Sequence, residues 1–126
     1  MIMAAAALAL TLAPVTAQEM DHSKMDHGSM GMDAMAQPKG DTGPSSKAFA
    51  EANAKMHGRM DIAFTGNPDV DFVRGMIAHH QGAIDMAKIE LEYGKDAALR
   101  KLAEGIISAQ EAEIKMMKDW LAKNGG

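Results

Sequence analysis

Between residues 46 and 124 apolar positions recur every three or four residues; before residue 46 they follow no period. Spacing of this kind predicts amphipathic helices. The first is expected over Ser46 to Ala63, N-capped by Ser45 or Ser46, with Phe49, Ala52, Met56, Met60 and Ala63 on one face. Thr65-Gly66-Asn67-Pro68 breaks it. A second helix, capped by Asp69, runs to Tyr93, and Gly94 stops it. Its apolar stripe is Val73, Ile77, Ile84, Ala87 and Leu91. A third helix, capped by Asp96, runs to Lys123 and buries Leu99, Leu102, Ile106, Met117, Trp120 and Leu121. The tight turn between the last two makes them an antiparallel hairpin. The hairpin's wide apolar face must be covered by the first helix, by a second copy of itself, or by both. The expected fold is an all-α helical bundle, closed as a monomer or paired as a homodimer.

Polar residues interrupt both hairpin stripes. On a wheel of about 100° per residue, His80 falls inside the second helix's stripe. Met76 lies between the directions of His79 and His80, and Ala83 and Met86 extend that flank. Gln110 and Glu113 interrupt the stripe of the third helix. Burying such groups is costly unless they are paired, so the facing histidines are their expected partners. The resulting constellation sets Met76, His79, His80 and Met86 opposite Gln110, Glu113 and Met116 or Met117. Met at helical spacing is commonly core filler, and His80–Glu113 is open to a purely structural reading. With metal bound, the same hydrogen bond would orient the imidazole. Met56 and Met60 on the first helix are further candidate donors, although core packing also accounts for them. Gly58 inside that helix costs about 1 kcal/mol against Ala, which points to close approach of a neighbouring backbone.

The segment ahead of the helices reads differently. Met20-Asp21-His22 is followed by Met25-Asp26-His27, and then by Met30, Met32 and Met35 among Gly, Ser and Asp. Methionine without apolar neighbours cannot be building a core. Thioether sulfur is a soft ligand suited to Cu(I), and imidazole also suits copper. Residues 18–45 are thus expected to form a disordered metal-capturing tail, with Pro38 to Ser45 as linker. Ahead of them, Ala4 to Ala13 is apolar but too short to span a bilayer. Val15-Thr16-Ala17 fits a signal-peptide cleavage site after Ala17, although Met1 to Met3 carry no basic residue. The chain is therefore expected to be periplasmic or secreted, in the order signal peptide 1–17, tail 18–45, helical domain 46–124. An uncleaved anchor is the alternative; after cleavage no stable membrane span remains.

Composition narrows the chemistry. The chain has no cysteine, so it has no disulfide framework, and a soft-metal site must use methionine. A net charge of −4 gives no basic footprint, which argues against nucleic acid. Five aromatic residues in 126 argue against a β-sandwich.

The stretch Asp71-Phe72-Val73-Arg74-Gly75-Met76-Ile77-Ala78-His79-His80-Gln81-Gly82-Ala83-Ile84-Asp85-Met86-Ala87, with Leu102 to Ile114, Met116, Met117 and Trp120-Leu121, resembles the CopM-type copper metallochaperones. That group has long carried the label of a domain of unknown function. The resemblance covers about residues 47–123 and rests on the Met-Ile-x-His-His-Gln core. It implies an exported, ferritin-like helical bundle that binds copper and assists copper resistance. By position it implicates Met76, His79, His80, Met86, Gln110, Glu113 and Met117. The family's usual Pro before His-His is Ala78 here, which should straighten the helix. The chain is also short, so a site that longer relatives complete alone would need a dimer.

Three functions follow as expectations. The first is a copper-binding metallochaperone or buffer, whose tail captures Cu(I) through Met20, Met25, Met30, Met32 and Met35. His22 and His27 would serve Cu(I) or Cu(II), Ag(I) would mimic Cu(I), and copper-export or copper-resistance proteins would be its partners. The second is a ferritin-like di-metal oxidase. That chemistry uses Glu-x-x-His pairs, whereas this chain offers Met76-x-x-His79, and no Ser-His-Asp or Cys-His arrangement is present; an enzyme is not expected. The third is an interaction bundle in which only the tail binds metal.

Overall fold

The computed structural model describes residues 37–125. They form an all-α bundle of three helices: α1 (Pro44–Met60), α2 (Pro68–Tyr93) and α3 (Ala97–Asn124). The proposed signal peptide and the Met-Asp-His repeats lie outside the described residues. No helix among those described is long and apolar enough to cross a membrane.

The helix ends follow proline and side-chain capping more closely than the apolar spacing suggests. α1 begins two residues early, at Pro44, because proline's fixed φ suits the first helical turn. Gly43 is therefore the N-cap, not Ser45 or Ser46. Asp41 organises this entry by accepting from Gly43 N–H at 2.9 Å and from the Ser46 hydroxyl at 2.7 Å. Those bonds, the Ser46 one first, hold its carboxyl below the usual range. The linker accordingly ends before Ser45. At the other end α1 stops at Met60, short of Ala63, where Asp61 leaves helical geometry.

Asn67, not Asp69, caps α2; its side chain accepts from the backbone of Asp69 at 3.0 Å and Val70 at 3.4 Å. Asp69 instead sits in the first turn, where a carboxylate complements the helix dipole. Asp71 folds back on the preceding loop, accepting from Thr65 N–H at 2.8 Å, the Thr65 hydroxyl at 2.9 Å and Gly66 N–H at 3.2 Å. Gly66 takes φ +84°, a left-handed conformation that favours glycine. The expected signals at the hairpin turn hold. Gly94 N–H reaches Glu90 O at 2.8 Å, and Asp96 accepts from Leu99 N–H at 2.9 Å. Arg100 adds a cation to the last carbonyls of α2, donating to Leu91 O and Gly94 O.

α2 is the central helix. α1 packs on one side of it and α3 on another, and α1 and α3 make no direct helix–helix packing. The face toward α3 carries the core of Val73, Ile84, Ile114 and Met117, flanked by Met76, Ile77, Ile107, Trp120 and Leu121. The face that receives α1 includes buried Gly82 and Ala78, two small residues absent from the expected stripe. The close glycine is Gly82 rather than Gly58, which is exposed on α1. A Cβ on Gly82 would lie 2.6 Å from Met56 Sδ, 2.7 Å from its Cγ and 3.0 Å from its Cβ.

That contact gives a stability prediction. Gly82→Val should force α1 away from α2 at a cost of about 1–3 kcal/mol, read as a lower Tm. Adding Met56→Ala should recover most of the loss. Gly82→Ala should cost less, since Ala in a helix gains back about 1 kcal/mol over Gly.

Four expected apolar-face positions are exposed instead. Leu99 and Leu102 are more than half exposed, because α3 turns its face at Ala103, Ile114 and Met117 toward α2. Met60 is likewise exposed at the end of α1, and Ala63 lies outside the helix altogether.

Candidate metal centre

The first turns of α2 and the last turns of α3 enclose an open cavity of about 560 Å³. Thioethers of Met76, Met116 and Met117 line it, with His80 and Glu113 at one end and the aromatic rings of Phe72 and Trp120 along the wall. The sequence places them there simply. Met76 and His80 are one turn apart on α2, and Glu113, Met117 and Trp120 recur at near-helical spacing on α3.

His80 is the one buried polar residue among those described, only 7% exposed. Its Nε2 lies 2.5 Å from Oε2 of Glu113, whose side chain is 53% exposed. Its Nδ1 is buried and has no hydrogen-bond partner among the described residues. That asymmetry selects the tautomer. A doubly protonated ring would bury an Nδ1–H donor without an acceptor, at about 1–3 kcal/mol. A neutral ring with Nε2–H donating to Glu113 leaves Nδ1 as a lone pair instead. Glu113 thus orients the imidazole, and Nδ1 is the nitrogen left free to bind an ion. Carboxylate–imidazole pairing of this kind fixes the tautomer of metal-binding histidines in general.

The remaining candidates do not all converge. His79 is exposed and is not part of the cavity wall; its ring centroid lies 6.2 Å from that of His80, edge-on. Met86 lines a separate groove of about 320 Å³ with Leu99 and Leu102. Met56 is held against Gly82 at the α1–α2 contact, and Met60 lies beyond it; neither reaches the cavity. Gln110 is off the cavity wall, and its Oε1 is buried without a partner. Met20, His22, Met25, His27, Met30, Met32 and Met35 lie outside the described residues. Met76, His80, Glu113 and Met117 are therefore the expected residues brought together. Phe72 and Asp69 were missed: Phe72 lies one turn before Met76 on the same flank, and Asp69, expected only as a cap, lines the cavity one turn earlier still.

Among the described residues no three His, Cys, Asp or Glu side chains converge. The donors lining the cavity are one imidazole, three thioethers and two carboxylates, Asp69 and Glu113; the thioethers are the most numerous and favour soft cations.

A small all-α domain with a thioether-lined cavity and one oriented, buried imidazole is thus defined. The chain belongs to the family described as a domain of unknown function (DUF305), which matches residues 4–121. No curated protein matches it.

Proposed function

We propose that this is an exported copper-binding protein, a metallochaperone or buffer rather than an enzyme. It would hold Cu(I) between Met76, Met117 or Met116 and Nδ1 of His80. The single observation that carries the reading is the buried, unpartnered Nδ1 of a histidine whose other nitrogen is committed to Glu113. An orphaned polar atom in a packed interior asks for an occupant, and the neighbouring sulfurs select a soft one. The CopM-like resemblance points the same way. In this reading the Met-Asp-His tail captures copper, the helical cavity holds the more ordered site, and copper-export or copper-resistance proteins exchange it. The absence of cysteine suits a carrier in an oxidising compartment, since thioethers bind Cu(I) without disulfide chemistry.

Trp120 makes the test possible in the full chain. It is the sole tryptophan and lines the cavity, so a heavy ion bound there should quench its emission, whereas one held by the tail should not. Titration with Ag(I), a redox-inert mimic of Cu(I), is expected to quench Trp120 saturably. A chromophoric chelator in competition should report Cu(I) and Ag(I) bound in preference to Zn(II). Binding with unchanged Trp120 emission would assign the metal to the tail alone, and a preference for Zn(II) would overturn the soft-donor reading.

A further inference from the structure

We infer that the hairpin of α2 and α3 docks face to face with a second copy of itself, building a four-helix core that also closes the cavity. The inference stands on packing and needs no metal. Of the eight large hydrophobic residues exposed among the described residues, five (Phe72, Met86, Leu99, Leu102 and Met116) line the two open grooves between α2 and α3. An apolar strip of that extent marks an interaction site.

The spacing identifies the occupant. The contact within the hairpin is carried on α2 by Val73, Ile77, His80, Ile84, Ala87 and Leu91, steps of four and three that make a heptad seam. A second seam with the same alternation runs along the open flank of α2, from Phe72 through Met76, His79, Ala83, Met86 and Glu90 to Tyr93. α3 has one too, from Leu99 through Leu102, Ile106, Ala109, Glu113 and Met116 to Trp120. Two adjacent heptad seams per helix are what a four-helix bundle requires, one seam for each neighbour. The chain fills one seam on each helix and leaves the other largely open, with Met76 and Trp120 packed at the edge of the core and Phe72, His79, Met86, Leu99, Leu102, Ala109 and Met116 exposed. α1 does not fill it, because it lies on the Gly82 side of α2, with only Phe49 reaching the edge of the groove.

The two open seams are complementary to each other. The His80–Glu113 pair sets the level of the hairpin, so Phe72 lies level with Trp120, Met76 with Met116, His79 with Glu113 and Ala83 with Ala109. A two-fold axis parallel to the helices places α2 of one copy on α3 of the other in that register. Large residues then meet at the ends, two alanines meet at the centre, and the imidazole of His79 meets a carboxylate. The alternative two-fold, with α2 on α2, sets Glu113 against Ile106 and buries a carboxylate whose sole partner is His80, which is costly. An isologous interface of the first kind is self-limiting at a dimer. It also gives exposed His79 a role, since the partner's His79 comes to Glu113 and the cavity edge.

Sedimentation velocity of the full chain in EDTA, at tens of micromolar, should give a dimer. Leu102→Glu should give a monomer with unchanged helical circular dichroism, and so should Phe72→Glu. The register is read by disulfide trapping, since the chain has no cysteine of its own. Ala83→Cys and Ala109→Cys variants, mixed and oxidised, should form a covalent dimer, and neither should do so alone. A monomer at 100 µM, a dimer untouched by both charge variants, or cross-linking of Ala83→Cys with itself would overturn the proposal.

Discussion

Replacing His80 with leucine is expected to abolish the Ag(I)-dependent quenching of Trp120 while leaving the Tm unchanged or higher. The two effects have separate physical origins. In the proposed site metal binding would be lost, because the imidazole is the one nitrogen donor beside the thioethers of the cavity. Stability is kept because leucine fills similar space and removes a buried polar atom that has no partner. Glu113 is released at little cost, since its side chain is already more than half exposed and returns to water. Swapping a buried polar pair for well-packed apolar groups is commonly neutral or stabilising. A gain of about 1 kcal/mol would raise the Tm by about 4–8 °C in a domain of this size. A purely structural His80–Glu113 bond predicts the reverse, a clear loss of Tm, and thermal melts of the metal-free variant decide between them. Glu113→Gln should be milder, with metal affinity falling about 10–100-fold as the imidazole loses its orienting carboxylate.

Ile84→Ala should produce the opposite pattern. Ile84 is the most deeply buried large side chain among the described residues, 2% exposed at the centre of the α2–α3 contact. Truncating such a residue removes its transfer free energy and leaves a cavity, together about 2–5 kcal/mol. A loss of about 3 kcal/mol lowers the Tm by about 12–24 °C, a large share of the stability of a small domain. Ile84 does not line the thioether cavity, so the folded fraction should still show Ag(I) quenching at unchanged midpoint. A loss of binding in proportion to folded protein would instead tie the site to core packing.

Much of the architecture was legible in the residues. Gly94 and Asp96 mark the hairpin turn, and the break at Thr65 to Pro68 separates α1 from α2, because these positions act through local backbone chemistry. Proline acts just as locally, and the early start of α1 at Pro44 and the cap at Asn67 follow from it. The pairing of His80 with Glu113 was legible for another reason. A polar group inside an apolar stripe needs a partner, and the antiparallel hairpin offers few. Leu99 and Leu102 were misplaced because a helix with two apolar seams presents more than one face that reads as core. Periodicity does not say which of them the chain itself covers.

The sequence by itself determined the helices, the antiparallel hairpin, the soft character of the candidate donors and the His80–Glu113 pair. These follow from local capping chemistry, from the 3.6-residue repeat and from the cost of leaving a buried polar group unpaired. Only the tertiary structure decided which donors share a cavity. It joined Met76 and Met117 to His80, left His79 exposed and off the cavity wall, sent Met86 to a separate groove and set Met56 against Gly82. It also made α2 the central helix, with α1 confined to one flank and another face of the hairpin left largely open. The physical reason is that spacing along a helix gives the direction of each side chain about its own axis. The neighbour standing in that direction is set by how the helices cross, and here a missing Cβ at Gly82 settles where α1 can approach.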